Sequence, residues 1–153
     1  MSGFIHRHPR LIAGFTLIEL LVVTMVIGLL VTIATPHFVA YLQRTRVANS
    51  IATARMMQTS LAAFTTTSPN DQYPAAIGSY NELAAMVNAH GGNLKPTENE
   101  AGFMFQRYTA LDNDGDTTWE SYTMSIRVLN VPTQRLGWSL TIDPSGVTRS
   151  PPQ

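Results

Sequence analysis

The sequence predicts an α+β fold in which a long N-terminal helix packs against a small antiparallel sheet that forms a head. Three observations predict it. Residues 15–35 form an unbroken apolar run. Apolar residues then recur at spacings of three and four to about Phe64, and the last third of the chain alternates apolar with polar residues.

The first element is the run FTLIELLVVTMVIGLLVTIAT, 21 residues from Phe15 to Thr35 with a single charge, Glu19. At about 1.5 Å per residue it spans roughly 30 Å, the thickness of a bilayer core. A helix of a soluble domain is rarely apolar on every face for so long, so this is a membrane segment. It is longer than the core of a secretory signal peptide, which also lacks a carboxylate. A plain single-span anchor fits the length. The positive-inside rule does not orient it, because Arg7 and Arg10 on one side face Arg44 and Arg46 on the other. Nor does a plain anchor give a reason for Glu19, since an acid in a membrane helix is costly and is normally kept with a partner. A cut after Gly14 would supply one. Phe15 would gain a free amine four residues from Glu19, and the amine of one subunit could pair with Glu19 of the next. Each charge would offset the other's desolvation, and the pairing would fix the stagger of the helices.

The block Gly14-Phe15-Thr16-Leu17-Ile18-Glu19-Leu20-Leu21-Val22-Val23 resembles the signature of type IV pilins and of the related pseudopilins of type II secretion. The resemblance implies that residues 1–14 are a basic leader held in the cytoplasm. A prepilin peptidase of the inner membrane would remove it after Gly14 and methylate Phe15. Phe15, Thr16 and Glu19 would be the assembly residues. Gly28 and Pro36 fall where the family often weakens its helix. Implied partners are further copies or related subunits, the peptidase, an inner-membrane assembly platform and lipid. The precursor would be a single-pass protein of the bacterial inner membrane, carried later to a surface pilus or a periplasmic pseudopilus. The family's pilin-like head has the helix-plus-sheet form predicted above. Tyr73-Pro74 before a short helix is similar to pseudopilins, whereas the ending Gly137-Trp138-Ser139-Leu140-Thr141-Ile142-Asp143 with Gly146 is closer to pilins.

Residues 36–65 continue the helix in amphipathic form. Pro36 can end or kink it, since it lacks an N–H and crowds the preceding turn. Phe38, Tyr41, Leu42, Val47, Ile51, Ala54, Met57, Leu61 and Phe64 then form a stripe, with Arg44, Arg46, Asn49 and Arg55 mostly off it. That stripe is expected to pack under a head built from residues 66–153. Thr65 to Asp71 reads as a loop. Ser79-x-x-Glu82 has the spacing of a capping box for a helix to about Ala89, stopped by Gly91-Gly92. Phe103 and Phe105, Tyr122 to Val128, and Trp138 to Ile142 alternate as strands, with a turn at Asp143-Pro144-Ser145-Gly146. Pro151-Pro152-Gln153 reads as a loose tail.

Asp112, Asp114 and Asp116 with Gly115 invite a calcium reading, because alternating carboxylates can wrap a hard cation. Gly115 sits at the fourth position of that run rather than the sixth, so the EF-hand pattern is not met. A polar hairpin turn explains the same residues. No other cofactor is indicated. There are no cysteines, hence no disulfide framework. His6, His8, His37 and His90 lack ligand spacing, and no phosphate loop or nucleophile elbow appears. Trp119, Tyr122 and Trp138 lie on strand patterns and read as core. Ten basic and ten acidic residues leave no basic excess for nucleic acid. The function these features support is structural rather than enzymatic: a filament subunit, with a pseudopilin or a monomeric membrane-tethered binding module as alternatives.

Overall fold

A computed structural model describes residues 14–151. The leader ahead of Gly14, with Arg7 and Arg10, and the final Pro152-Gln153 lie outside the described residues. The chain forms two compact units, one through Val39 and one from Ala40. It has the predicted α+β, pilin-like arrangement: a long N-terminal helix and a four-stranded antiparallel sheet.

Helix α1 runs from Leu17 to Thr65 with Pro36 inside it. In the first unit its surface is apolar and open. Its most apolar window of 18 residues has a mean hydropathy of 2.7, and none of that window is buried. Hydroxyls in this stretch are satisfied locally: Thr24 donates to the Leu21 carbonyl at 2.9 Å, Thr32 to Gly28 at 2.8 Å and Thr35 to Val31 at 2.7 Å. Such back-bonding lets threonine sit in a helix whose surroundings offer no water.

In the second unit, residues 40–65 of α1 pack with α2 (Tyr80–Ala89), α3 (Glu98–Ala101) and the sheet. The strands β1 (Phe103–Leu111), β2 (Ser121–Val128), β3 (Ser139–Asp143) and β4 (Gly146–Arg149) follow one another as a meander. Met57, Leu61, Leu83, Phe103, Tyr122, Ile126 and Leu140 are fully buried between the layers. Two details correct the expected stripe. Full burial starts only at Val47, whereas Phe38, Tyr41 and Leu42 remain exposed at 61%, 65% and 37%. The buried face of α1 also includes Ser50 and Ser60, small enough for close approach.

The termini of α2 follow their spacing. Ser79 Oγ accepts from the Glu82 amide at 3.3 Å, while the Glu82 carboxylate reaches one residue further back than a standard box, to the Gly78 amide at 2.7 Å. At the other end Gly91 takes φ of +86° and the Gly92 amide returns to the Val87 carbonyl at 2.8 Å, a Schellman closure. Helix α3 is an addition to the predicted elements, although Thr97-x-x-Glu100 carries the same signal: Thr97 is the N-cap and Gly102, at φ +80°, ends the turn.

Strand β1 departs from simple alternation. Phe105 pairs with Ile126 but Arg107 with Ser125, so Gln106 is an extra residue in a bulge. Phe103 faces the core before the bulge and Tyr108 after it, an odd spacing that strict period two cannot give. Tyr73, Tyr122 and Tyr108 cluster beyond it, with ring centroids 4.9 Å and 5.6 Å apart. The Tyr108 hydroxyl donates to the Pro74 carbonyl at 2.9 Å, but the fully buried Tyr122 hydroxyl finds no partner among the described residues. An unsatisfied buried hydroxyl opposes folding, so Tyr122→Phe is expected to leave stability unchanged or raise it by about 1 kcal/mol. Thermal unfolding checks this; a fall comparable to a lost buried hydrogen bond would show that the hydroxyl has a partner.

Candidate functional site

The first cluster lies where α1 begins. Phe15 is 75% exposed, and a side chain at Gly14 would meet nothing within 4 Å. The Gly14–Phe15 bond is therefore open to an external catalyst. Thr16 precedes the first helical residue, Leu17, and forms a reciprocal pair with Glu19. Thr16 Oγ1 accepts from the Glu19 amide at 3.2 Å, and Glu19 Oε2 accepts from the Thr16 amide at 2.9 Å and the Thr16 hydroxyl at 2.7 Å. This is a capping box: it satisfies amides that the first helical turn leaves without intrahelical partners.

Thr16-x-x-Glu19 thus has a use within its own chain, besides the partner in a neighbour that the isolated acid suggests from sequence. All of the bonds to the Glu19 side chain go to one oxygen, Oε2. Around the carboxylate, Phe15, Ile18, Val22 and Val23 line an apolar groove of about 360 Å³. The structure brings Phe15, Thr16 and Glu19 together. Gly28 and Pro36 lie further along α1, which continues through both without a break.

The second cluster is the β1–β2 connection. Carboxylate oxygens of Asp112, Asp114, Asp116 and Glu120 all lie within 4.8 Å of one another. The loop is also braced by its own amides. Asp112 Oδ1 accepts from Gly115 at 2.6 Å and Asp114 at 3.2 Å, and Asp112 Oδ2 accepts from Thr117 at 3.0 Å. Glu120 Oε2 accepts from the Asn113 amide at 2.8 Å, closing the hairpin.

Asp114 accepts from the Asp116 amide, which favours its charged form. Lost solvation and the charges of Asp116, Glu120 and Asp112 outweigh that bond and raise its pKa. Hydrogen bonds from Thr118 hold Asp116 low, and the Thr118 hydroxyl followed by the Asn113 amide hold Glu120 low. One hydroxyl proton cannot serve both acids. The Thr118 oxygen stands within hydrogen-bond reach of Asp116 and Glu120 together, so at any instant one of them faces a lone pair. The all-oxygen donor set fits a hard divalent cation, with Asp112, Asp114, Asp116 and Glu120 as the residues that would hold it.

Residues 9–35 match the family described as the prokaryotic N-terminal methylation motif. The match covers Gly14, Phe15 and the whole apolar run, and its first residues lie outside those described. The chain therefore carries the leader signature of type IV pilins and pseudopilins. With the unburied apolar helix, that motif fits an inner-membrane-anchored precursor, and it points to a structural protein. No curated protein and no solved structure gives a significant match.

Proposed function

We propose that the chain is a structural subunit of a type IV pilus-like filament, processed by a prepilin peptidase between Gly14 and Phe15 and assembled through packing of α1. The observation that carries this reading is the Phe15–Thr16–Glu19 constellation at the start of an open apolar helix, inside the matched motif.

Cleavage creates an ammonium at Phe15. The capping box holds the Glu19 carboxylate by Oε2, so its orientation is set while Oε1 stays available to the amine of a neighbouring subunit. Lipid tails are as apolar as the helix surface, so moving α1 from bilayer to filament gains little from the hydrophobic effect. Close packing and the ion pair must supply the specificity. Gly28 and Pro36 are the positions at which α1 would yield if the filament requires local unwinding.

Intact-mass and N-terminal analysis of a sheared cell-surface fraction tests the reading. The expected species is abundant and starts at methylated Phe15. The same species confined to membranes would point to a pseudopilus or a minor subunit. A chain retaining Met1 beside an active peptidase would overturn the proposal in favour of a tethered binding module.

A second reading concerns calcium. The gathering of four carboxylates within 4.8 Å of one another, two of them on the shared Thr118 hydroxyl, favours a cation in the Asp112 loop. The raised pKa of Asp114 makes its charge unfavourable in the folded state, a cost present above the ordinary aspartate range and relieved as pH falls. Without divalent ions, Asp114→Asn is therefore expected to raise the melting temperature at neutral pH. Added calcium should raise that of the unsubstituted chain and leave the variant unmoved. No calcium response in either protein would leave the loop a self-braced turn.

A further inference from the structure

We infer that an arginine-lined crevice at one end of the head receives the Asp112–Glu120 loop of a second copy of this chain. The crevice has a volume of about 350 Å³; Arg44, Arg135 and Arg149 rim an apolar floor that includes Val47 and Ile51, and no acid is among its lining residues. It is a built feature. Gly137, at φ +84°, lets the β2–β3 connection lie so close to α1 that an added Cβ would stand 2.8 Å from Val47 Cγ1. The Gly137 amide is tied to the Ser150 carbonyl at 3.1 Å, which fixes Arg135 and Arg149 on neighbouring segments.

The topology sets this crevice and the acidic loop at opposite ends of the sheet. The loop joins the end of β1 to the start of β2, whereas Arg135 follows the end of β2 and Arg149 ends β4. β2 alone separates the two ends by roughly 25 Å at about 3.3 Å per residue. A chain of zero net charge thus carries four carboxylates and no basic residue in the Asp112–Glu120 loop at one end of the sheet, and three guanidiniums around an apolar floor at the other.

One molecule cannot bring its own poles together, but successive copies can. A contact between two different patches is heterologous and propagates, which is the geometry a filament needs. With a divalent cation bound, the loop would still carry two surplus negative charges, so the complementarity survives either state of the loop. The glutamates at the crevice end, Glu98 and Glu100, sit on α3 before β1, at the opposite edge of the sheet from β4. The inference rests on the assembly reading above and adds to it a second, heterologous contact between the heads of successive copies.

The chain has no cysteine, so Asn113→Cys with Leu136→Cys places one thiol at each pole. Oxidation of native membranes and of sheared filaments is expected to give a ladder of multimers that requires both cysteines. Arg44→Glu with Arg135→Glu should lower that ladder about tenfold, because like charges then face each other. Asp114→Lys with Asp116→Lys in the same chain should restore it, which a merely misfolded head would not allow. Filaments of processed chain without a ladder would sink this contact and leave the filament reading standing. A ladder in membranes from a chain that is never cut at Gly14 would do the reverse. Neither filament nor ladder would sink both.

Discussion

Glu19→Gln is expected to remove the chain from sheared filaments while α1 still starts at Leu17. Glutamine keeps an amide oxygen that can accept from the Thr16 amide, so the capping box survives in its S/T-x-x-E/Q form. What it loses is the charge. If Glu19 served only to cap its own helix, the variant would assemble as the unsubstituted chain does. If the carboxylate answers the Phe15 ammonium of a neighbour, the variant leaves an unpaired cation among apolar helices, and assembly fails. The measurement is the amount of processed chain in the sheared fraction relative to membranes. Glu19→Val should fail in the same way. Thr16→Ala keeps the charge but frees the carboxylate to wander, and should reduce yield by less. Normal filaments from the glutamine variant would end the ion-pair account and leave the cap as the reason for the acid.

Gly92→Ala is expected to destabilise the head more than Gly91→Ala, one residue earlier, does. A Cβ at Gly92 would stand 2.3 Å from Val87 Cγ1, 2.8 Å from the Val87 carbonyl oxygen and 2.9 Å from Ser60 Oγ. The valine side chain can turn away; a helical carbonyl that receives the Schellman bond cannot. Ser60 closes the third side from α1, so the end of α2 would have to lift off the long helix. Overpacking of this kind costs about 1–3 kcal/mol. At roughly 4–8 °C per kcal/mol for a domain near this size, the melting temperature should fall by on the order of 10 °C. Gly91→Ala is the natural comparison. Its Cβ meets nothing within 4 Å, and only the left-handed backbone at φ +86° opposes it, a cost of about 1–2 kcal/mol. Equal losses for the two variants would mean that close approach at Gly92 is not the constraint.

The signals that survive into the structure are those carried by nearby residues. Ser79 and Glu82 are three apart and meet because one helical turn brings them together. The same rule makes a pair of Thr16 and Glu19, and that pair is legible too. It is easily missed because a carboxylate in an apolar run draws attention to partners outside the chain. Thr97-x-x-Glu100 is missed because a helix of one turn has no apolar periodicity to announce it. Other features are out of reach. The bulge at Gln106 moves Tyr108 to the core face against simple alternation, and nothing local to Phe103–Leu111 requires it; the register with β2 does. Phe38, Tyr41 and Leu42 continue the apolar stripe in sequence yet stay exposed, because a stripe shows which face is apolar and not how much of it the head covers.

By itself, the sequence determined the long apolar helix that fits a membrane anchor, the methylation motif around Gly14 and Phe15, the amphipathic continuation and the alternating strands of an α+β head. These depend on chain length, hydrophobicity and a period of 3.6 or 2, all local quantities. Only the tertiary structure decided which Glu19 oxygen is bound, where burial on α1 begins, and that Arg44, Arg135 and Arg149 share one crevice opposite an acidic loop. Those facts depend on distances between residues far apart in sequence or on the way a side chain settles. Strand pairing and close packing set such distances, and no local pattern encodes them.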